Sequence, residues 1–131
     1  MFCTAHNAAA SERYGLDAEK IEKYYEFETH SLYSEAERVA MCYAMAASQI
    51  PNGVTDALFA ELRQHFSDTE IVEIQAVVSY YGFLNRWNDS FATELEALPL
   101  QFAGAHSHFP GWCEHQELER GHRSPNRQYL L

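Results

Sequence analysis

Cys3 and His6 form the first arrangement in this sequence that could perform chemistry. A thiol near a helix N-terminus is acidified by the helix dipole, and a nearby imidazole can accept its proton. The resulting thiolate is the nucleophile in peroxide reduction and in disulfide exchange. Taken alone, this spacing is a weak signal, and an incidental or buried thiol is the alternative interpretation. Cys42 falls inside a helical stretch and is interpreted as a small core residue.

A second group of potential ligands lies near the C-terminus and comprises His106, His108, Cys113 and His115. Imidazole and thiolate suit zinc, but their spacing here matches no standard zinc finger. The sequence contains seven histidines, so some clustering is expected by chance. We therefore expect a solvated polar arm without a structural metal site, and the sequence predicts no bound cofactor.

Composition excludes several classes of partner. The 131 residues include 19 acidic and 9 basic side chains, which give a formal net charge of −10. Binding to nucleic acids or to anionic membranes depends on clustered lysine and arginine, so both are disfavoured. No apolar run approaches the roughly 18–20 residues that cross a bilayer, and the N-terminus lacks the features of a signal peptide. Three cysteines are too few for a disulfide scaffold, so a cytoplasmic protein with reduced thiols is expected.

Helical signals dominate the pattern, and strand signals are nearly absent. Ser34 to Glu37 and Ser67 to Glu70 both match the capping box, in which a serine hydroxyl and a glutamate carboxylate satisfy free backbone amides. Each box opens a stretch with apolar residues at helical spacing. The sequence predicts an all-α fold with helices near 2–14, 18–29, 35–49, 55–65 and 68–95.

The helical pattern stops near Leu98, after which proline and glycine residues break any period. We therefore divide the chain into a helical body, residues 1–97, and an irregular C-terminal arm, residues 98–131. The arm is expected to pack on the body or on a neighbouring subunit.

Several separated patches resemble the carboxymuconolactone decarboxylase/alkylhydroperoxidase (AhpD)-like family. Residues 2–10 look like the end of that family's helix with a Cys-x-x-Cys motif and a following histidine. The downstream patches occur in the same order and are residues 15–16, 32–38, 51–54, 66–73 and 85–88. Together with the first patch they cover about residues 6–98. The resemblance implies an all-α, AhpD-like helical bundle whose usual N-terminal helices would precede Met1.

The resemblance also assigns roles to the N-terminal residues. Cys3 matches the second cysteine of the motif, which attacks the peroxide, and His6 is the proton acceptor. His6 follows Cys3 by three residues where four are typical, and Asn7 holds the usual position. The first, resolving cysteine and an upstream glutamate would fall before Met1. Either the sequence begins inside a longer gene product, or this protein has lost half of its redox pair.

Two functions remain open from the sequence. The first is a thiol-dependent, peroxiredoxin-type oxidoreductase that reduces peroxides through Cys3 and His6 and is regenerated by an external thiol. Decarboxylation of a lactone, the family's other activity, is less expected because the cysteine pattern indicates redox chemistry. The second is a non-catalytic helical oligomerisation module of the same fold.

We expect a homo-oligomer, at least a dimer, and the resemblance implies a trimer of dimers. Without the family's N-terminal helices, some apolar faces would have too few partners inside one chain. We expect these unpaired faces to include Ile71, Ile74, Val78 and Tyr81.

Overall fold

The computed structural model describes residues 10–11, 13–91, 93–94 and 97. Within these residues there are four α-helices with described bounds, further helical residues at 10–11, 13 and 97, a short 3-10 helix and no strand, which confirms the predicted all-α class. The helices are α1 (Ala18–Glu22), α2 (Glu35–Ala47), α3 (Asp56–His65) and α4 (Asp68–Phe91), and the 3-10 segment is Tyr24–Glu26. None of the described helices is long and apolar enough to cross a membrane.

Both predicted capping boxes are confirmed. At the start of α2, the Ser34 amide donates to Glu37 Oε2 at 2.9 Å and the Glu37 amide donates to Ser34 Oγ at 3.3 Å. At the start of α4, the corresponding distances between Ser67 and Glu70 are 2.8 and 3.4 Å. Each box satisfies amides that the first turn of a helix leaves unpaired. Thr55 caps α3 in the simpler way, because its hydroxyl accepts from the Leu58 amide at 3.2 Å.

The single helix predicted over 18–29 is wrong. Helix α1 ends at Glu22, and a 3-10 segment and turns follow. Arg38 of α2 accounts for this path, since its Nε donates to the Phe27 carbonyl at 3.1 Å and its Nη2 to the His30 carbonyl at 2.9 Å. The guanidinium therefore satisfies two carbonyls of this turn from a position eight and eleven residues further along the chain.

The connection between α2 and α3 leaves little room for a side chain at Gly53. The Gly53 amide donates to the Ala46 carbonyl at 2.9 Å, so the chain folds back closely on the end of α2. A Cβ atom at Gly53 would meet the Gln49 side chain and would lie 3.3 Å from the Ala46 carbonyl oxygen. The pair Asn52-Gly53 is therefore a tight link between two helices, as the absence of flanking strand signals indicated.

The core of residues 23–84, which form one compact unit, lies between α2, α3 and α4. Its buried side chains are Val39, Tyr43, Leu62 and Ile71. Leu62 is the most enclosed, with no exposed surface. Around this cluster pack partly buried apolar residues: Ala40, Ala47, Val54, Phe59, Phe66 and Ile74. Truncating a leucine this enclosed to alanine costs about 2–5 kcal/mol in other cores.

The prediction that Ile71, Ile74, Val78 and Tyr81 lie on an apolar face without partners is wrong. Ile71 belongs to the core and Ile74 packs against it, while Val78 and Tyr81 are partly buried. The exposed apolar side chains of α4 are instead Val72, Val77, Tyr80, Phe83, Trp87 and Phe91. Both faces of this helix carry apolar residues at helical spacing, so periodicity alone does not identify the inward one.

Two helices end earlier than predicted, and most of the two chain ends lies outside the described residues. Helix α4 ends at Phe91, four residues before the predicted end, and α2 ends two residues early at Ala47. Residues 1–22 with 85–131 make up the second compact unit. Most of the predicted helix 2–14 and the arm 98–131 fall outside the described residues, so the division at residue 97 stays a prediction.

Candidate functional site

The proposed nucleophile and proton acceptor, Cys3 and His6, lie outside the described residues. Their roles therefore remain predictions. Cys42 is the one cysteine in the described part of the chain, so the structure shows the environment of this thiol. It also contains the patches of residues that carried the resemblance downstream of Gly15.

Cys42 lies on α2 and is partly buried. Burial raises the pKa of its thiol, and the carboxylates of Glu28 and Glu61 raise this pKa further by disfavouring a second negative charge. A thiol with a raised pKa carries little thiolate at neutral pH and reacts slowly with peroxide. The environment of Cys42 is therefore opposite to that of an activated cysteine. The residue was predicted to be a small core residue, but it is not part of the core cluster of residues 23–84.

Arg38 belongs to the patch 32–38 and acts in this structure as a structural clamp. In addition to the two carbonyls described above, its Nη1 lies 3.3 Å from Glu35 Oε2. The side chain is about one quarter exposed, at 26%. Its donors are directed at the 27–30 turn and at one carboxylate, so Arg38 organises the entry to α2 and is not available as an anion-binding site.

A polar chain crosses from the core to the surface between α2 and α4. The buried Tyr43 hydroxyl donates to Gln75 Oε1 at 2.7 Å, and Gln75 Nε2 donates to Ser79 Oγ at 3.0 Å. This arrangement satisfies the only polar atom of a tyrosine that is 6% exposed. It positions α4 on α2. Sequence analysis missed this pair because the two residues are 32 positions apart and neither belongs to a motif.

The paired tyrosines Tyr24 and Tyr25 are in direct contact. Their ring centroids lie 3.8 Å apart with an interplanar angle of 36°. Burial is the main reason that the pKa of Tyr24 is raised strongly, and the Tyr25 hydroxyl adds to the shift. The raised pKa favours the neutral phenol, and the ring contact with Tyr25 agrees with the prediction that this tyrosine pair serves packing.

Within the described residues, no group of three or more histidine, cysteine, aspartate or glutamate side chains is arranged to hold a metal ion. The four candidate ligands of the arm, His106, His108, Cys113 and His115, lie outside those residues. Their predicted lack of a structural metal site stays a prediction.

The described helices form an all-α fold of the AhpD-like kind. Two crystal structures of the debrominase Bmp8 share it. A cysteine-to-alanine variant of Bmp8 in complex with 2,3,4-tribromopyrrole gives a TM-score of 0.73 at 33% sequence identity, and covers 79% of this chain and 56% of the Bmp8 chain. The apo form gives 0.72 at 34% identity, with coverages of 78% and 55%.

Sequence comparison gives a narrower match. No family model matches the chain. A stretch of 67 residues, 51% of this chain, is 34% identical to the uncharacterised protein YnjA of Escherichia coli strain K12. This match covers 37% of YnjA, so the chain spans little more than a third of that protein and about half of Bmp8.

Proposed function

We propose that this chain is a thiol-dependent oxidoreductase of the AhpD-like family that reduces peroxides, with Cys3 as the nucleophile and His6 as the proton acceptor. The observation that carries the proposal is the likeness of its fold to Bmp8 at 33% identity, taken with the Cys3–His6 spacing in the sequence. The environment of Cys42 supports it indirectly, because that thiol is not activated.

The proposed reaction has three balanced steps. The Cys3 thiolate attacks one peroxide oxygen; the O–O bond breaks, an alcohol or water leaves with a proton, and Cys3 becomes a sulfenic acid. An external thiol then condenses with the sulfenic acid, which releases water and forms a mixed disulfide. A second external thiol attacks that disulfide and regenerates Cys3. His6 removes the proton from Cys3 before the first step.

A second candidate reaction is reductive removal of bromine from an aromatic ring. It is favoured by the fold neighbour, which is a debrominase whose cysteine-to-alanine variant was crystallised with a brominated pyrrole. In this reaction the Cys3 thiolate would take bromine from carbon while a proton replaces it on the ring. An external thiol would then displace bromide from sulfur and form a mixed disulfide. Both candidates use the same nucleophile and the same reductant.

The proposal also covers the cellular compartment, the oligomeric state and the cofactor requirement of the protein. Regeneration by an external thiol requires a reducing compartment, so we place the protein in the cytoplasm. We further propose that it works as a homo-oligomer, a dimer or a trimer of dimers, and that it uses neither a metal ion nor an organic cofactor.

The decisive experiment compares two serine variants of the full chain. Hydrogen peroxide, tert-butyl hydroperoxide and 2,3,4-tribromopyrrole are supplied separately, each with excess dithiothreitol, and peroxide loss or bromide release is followed. Cys3→Ser should lower the rate by at least about a hundredfold, since the nucleophile is removed. Cys42→Ser is the matched control and should keep the rate within about twofold.

The outcomes separate the candidates. Peroxide loss without bromide release supports the peroxidase, and the reverse supports the debrominase. Equal rates for Cys3→Ser and the unmodified chain would refute both. If the unmodified chain shows neither reaction above the dithiothreitol background, the non-catalytic oligomerisation module replaces them.

A further inference from the structure

The turn between α2 and α3 contains the one asparagine of the sequence that is followed by glycine, in the pair Asn52-Gly53. The residue after every other asparagine carries a side chain. In proteins the side-chain amide of an asparagine is attacked by the backbone nitrogen of the next residue, and a side chain on that residue hinders the approach. Since glycine has no Cβ atom, Asn52 is the asparagine of this chain that is most prone to the reaction.

The reaction is a deamidation, and its only co-reactant is water. The Gly53 nitrogen forms a bond to the Asn52 Cγ atom, and ammonia leaves with the proton that this nitrogen gives up, so that a succinimide ring results. Water then adds to one of the two ring carbonyls and opens the ring. Opening at Cγ yields aspartate. Opening at the backbone carbonyl yields isoaspartate, in which the main chain continues through Cβ and Cγ of residue 52.

The folded turn engages both groups that must react. The Gly53 amide donates to the Ala46 carbonyl at 2.9 Å, and Asn52 Oδ1 accepts from the Val54 amide at 2.9 Å. The nitrogen of a succinimide has no hydrogen, so the bond to Ala46 is lost when the ring forms. The Val54 side chain also packs against the core and holds the turn in place. Cyclisation therefore breaks at least one hydrogen bond that fixes the turn to the end of α2.

We propose that Asn52 is a spontaneous modification site, which the folded turn protects and local opening of the turn exposes. Folded proteins open locally at free energies below that of global unfolding. Asn52 is exposed to solvent, so water and base reach it as soon as the Gly53 amide leaves the Ala46 carbonyl. The rate of deamidation in the folded chain is therefore set by how often this turn opens.

The two products have different effects on the turn. Aspartate keeps a side-chain oxygen that accepts from the Val54 amide, so the turn re-forms. Isoaspartate adds one backbone atom between residues 52 and 53, where even a Cβ atom on Gly53 would meet the Gln49 side chain. The close approach of Gly53 to the Ala46 carbonyl is then not recovered. Isoaspartate formation thus makes an opening of this turn irreversible.

The test compares Asn52 in the folded full chain with Asn52 in the same chain unfolded by guanidinium chloride, at pH 8 and at one temperature. Peptide mass spectrometry follows the mass gain of deamidation, and electron-transfer fragmentation separates aspartate from isoaspartate. A synthetic peptide of residues 48–56, incubated in each solvent, corrects for the effect of guanidinium on the chemistry itself. After this correction, Asn52 should react at least about tenfold more slowly in the folded chain than in the unfolded chain.

Val54→Ala tests whether the packing of the turn gives the protection. The variant removes apolar contact between the turn and the core and keeps the backbone donors and acceptors of residues 52–54. The turn should open more often, and deamidation of the folded chain should become about threefold faster or more. Val72→Ala is the matched control, because Val72 is 68% exposed on α4, and its rate should stay within about twofold of the unmodified chain.

Three results would overturn the proposal. Equal corrected rates in the folded and unfolded chain would show that the turn gives no protection. Faster deamidation of Asn85 or Asn88 than of Asn52 in the unfolded chain would remove the choice of site. An unchanged rate for folded Val54→Ala would remove the role of the turn packing. The comparison of folded and unfolded chain uses no variant, so it decides the proposal even if Val54→Ala loses its helical circular dichroism. Cys3 takes no part in the reaction, so the result is independent of the proposed peroxidase.

Discussion

The Tyr43 hydroxyl and the Gln75 side-chain carbonyl are 2.7 Å apart, and this hydrogen bond joins α2 to α4 inside the core of residues 23–84. Tyr43 is buried, and Gln75 is partly buried and donates onward to Ser79. The orientation of α4 depends on this pair as well as on apolar packing. The aromatic face that α4 exposes follows from the same orientation.

Tyr43→Phe should destabilise the fold by about 1 kcal/mol, because it removes one hydrogen bond and leaves the Gln75 carbonyl without its donor. Thermal unfolding followed by circular dichroism should show a decrease in Tm of a few degrees. Tyr14→Phe is the control, since Tyr14 is 89% exposed, and its Tm should match that of the unmodified chain. An unchanged Tm for Tyr43→Phe would show that the bond adds nothing to stability.

Arg38→Lys should lower the free energy of unfolding more than a conservative exchange usually does. Lysine keeps the charge but lacks the planar fork that reaches the Phe27 and His30 carbonyls together. We expect a loss of about 1–3 kcal/mol in the free energy of unfolding, measured by urea titration.

Arg63→Lys is the matched control for that variant. Arg63 is 55% exposed and pairs with Asp68, which is 79% exposed, at 2.8 Å. An ion pair this exposed contributes at most about 1 kcal/mol, and lysine preserves its charge. Equal losses for the two variants would contradict a clamping role for Arg38.

Features that depend on contacts between residues close in sequence were predicted correctly, and features that depend on more distant contacts were missed. The boxes at Ser34 and Ser67 join residues three positions apart, so the sequence alone predicted where α2 and α4 begin. The break after Glu22 was missed because Arg38 contacts carbonyls eight and eleven residues away. A sequence pattern over a few residues does not predict a contact between residues that far apart.

The orientation of α4 was missed for a different reason. Ile71 and Tyr80 belong to two apolar faces with the same period, and only the positions of α2 and α3 decide which face is covered. For the candidate site, the sequence favoured Cys3 over Cys42 as the nucleophile, and the raised pKa of the Cys42 thiol is compatible with that choice. The assignment of Cys3 and His6 stays a prediction, since both lie outside the described residues.

The capping bonds at α4 make part of the stability dependent on pH. Hydrogen bonds from the Ser67 amide and hydroxyl hold the pKa of Glu70 below its usual range. A carboxylate with a depressed pKa stabilises the fold fully above its unfolded pKa, about 4.3, and this stabilisation is lost as pH falls through the lower folded value. The Tm difference between the unmodified chain and Glu70→Gln should therefore be present at pH 7 and shrink below about pH 4. A difference that is the same at pH 7 and in acid would contradict this assignment.

The reactivity of the Cys42 thiol should respond to its two acidic neighbours. Glu28 and Glu61 raise the pKa of this thiol, after the larger effect of burial, so Glu28→Gln and Glu61→Gln should each lower it and speed alkylation by iodoacetamide at pH 8. The comparison is made in a Cys3→Ser background, with Cys42 followed by mass spectrometry of its peptide. Glu19→Gln removes the same charge outside this pair and serves as the control. Unchanged rates for both variants would show that the carboxylates do not act on this thiol.

Cys3 should be the first cysteine to be oxidised, and this prediction decides between enzyme and module. If Cys3 lies at a helix N-terminus beside His6, the pKa of its thiol falls below the reference of about 8.5. Limited hydrogen peroxide at pH 7 should then modify Cys3 before Cys42, whose own thiol pKa is raised by burial. In the 131-residue chain the product should be a sulfenic acid or an intermolecular disulfide, identified by dimedone trapping and peptide mass spectrometry. His6→Ala should slow this oxidation by about tenfold or more at pH 7 while leaving Cys42 unaffected. Oxidation of Cys3 no faster than that of Cys42 would remove the chemical basis of the peroxidase and leave the oligomerisation module as the function of the fold.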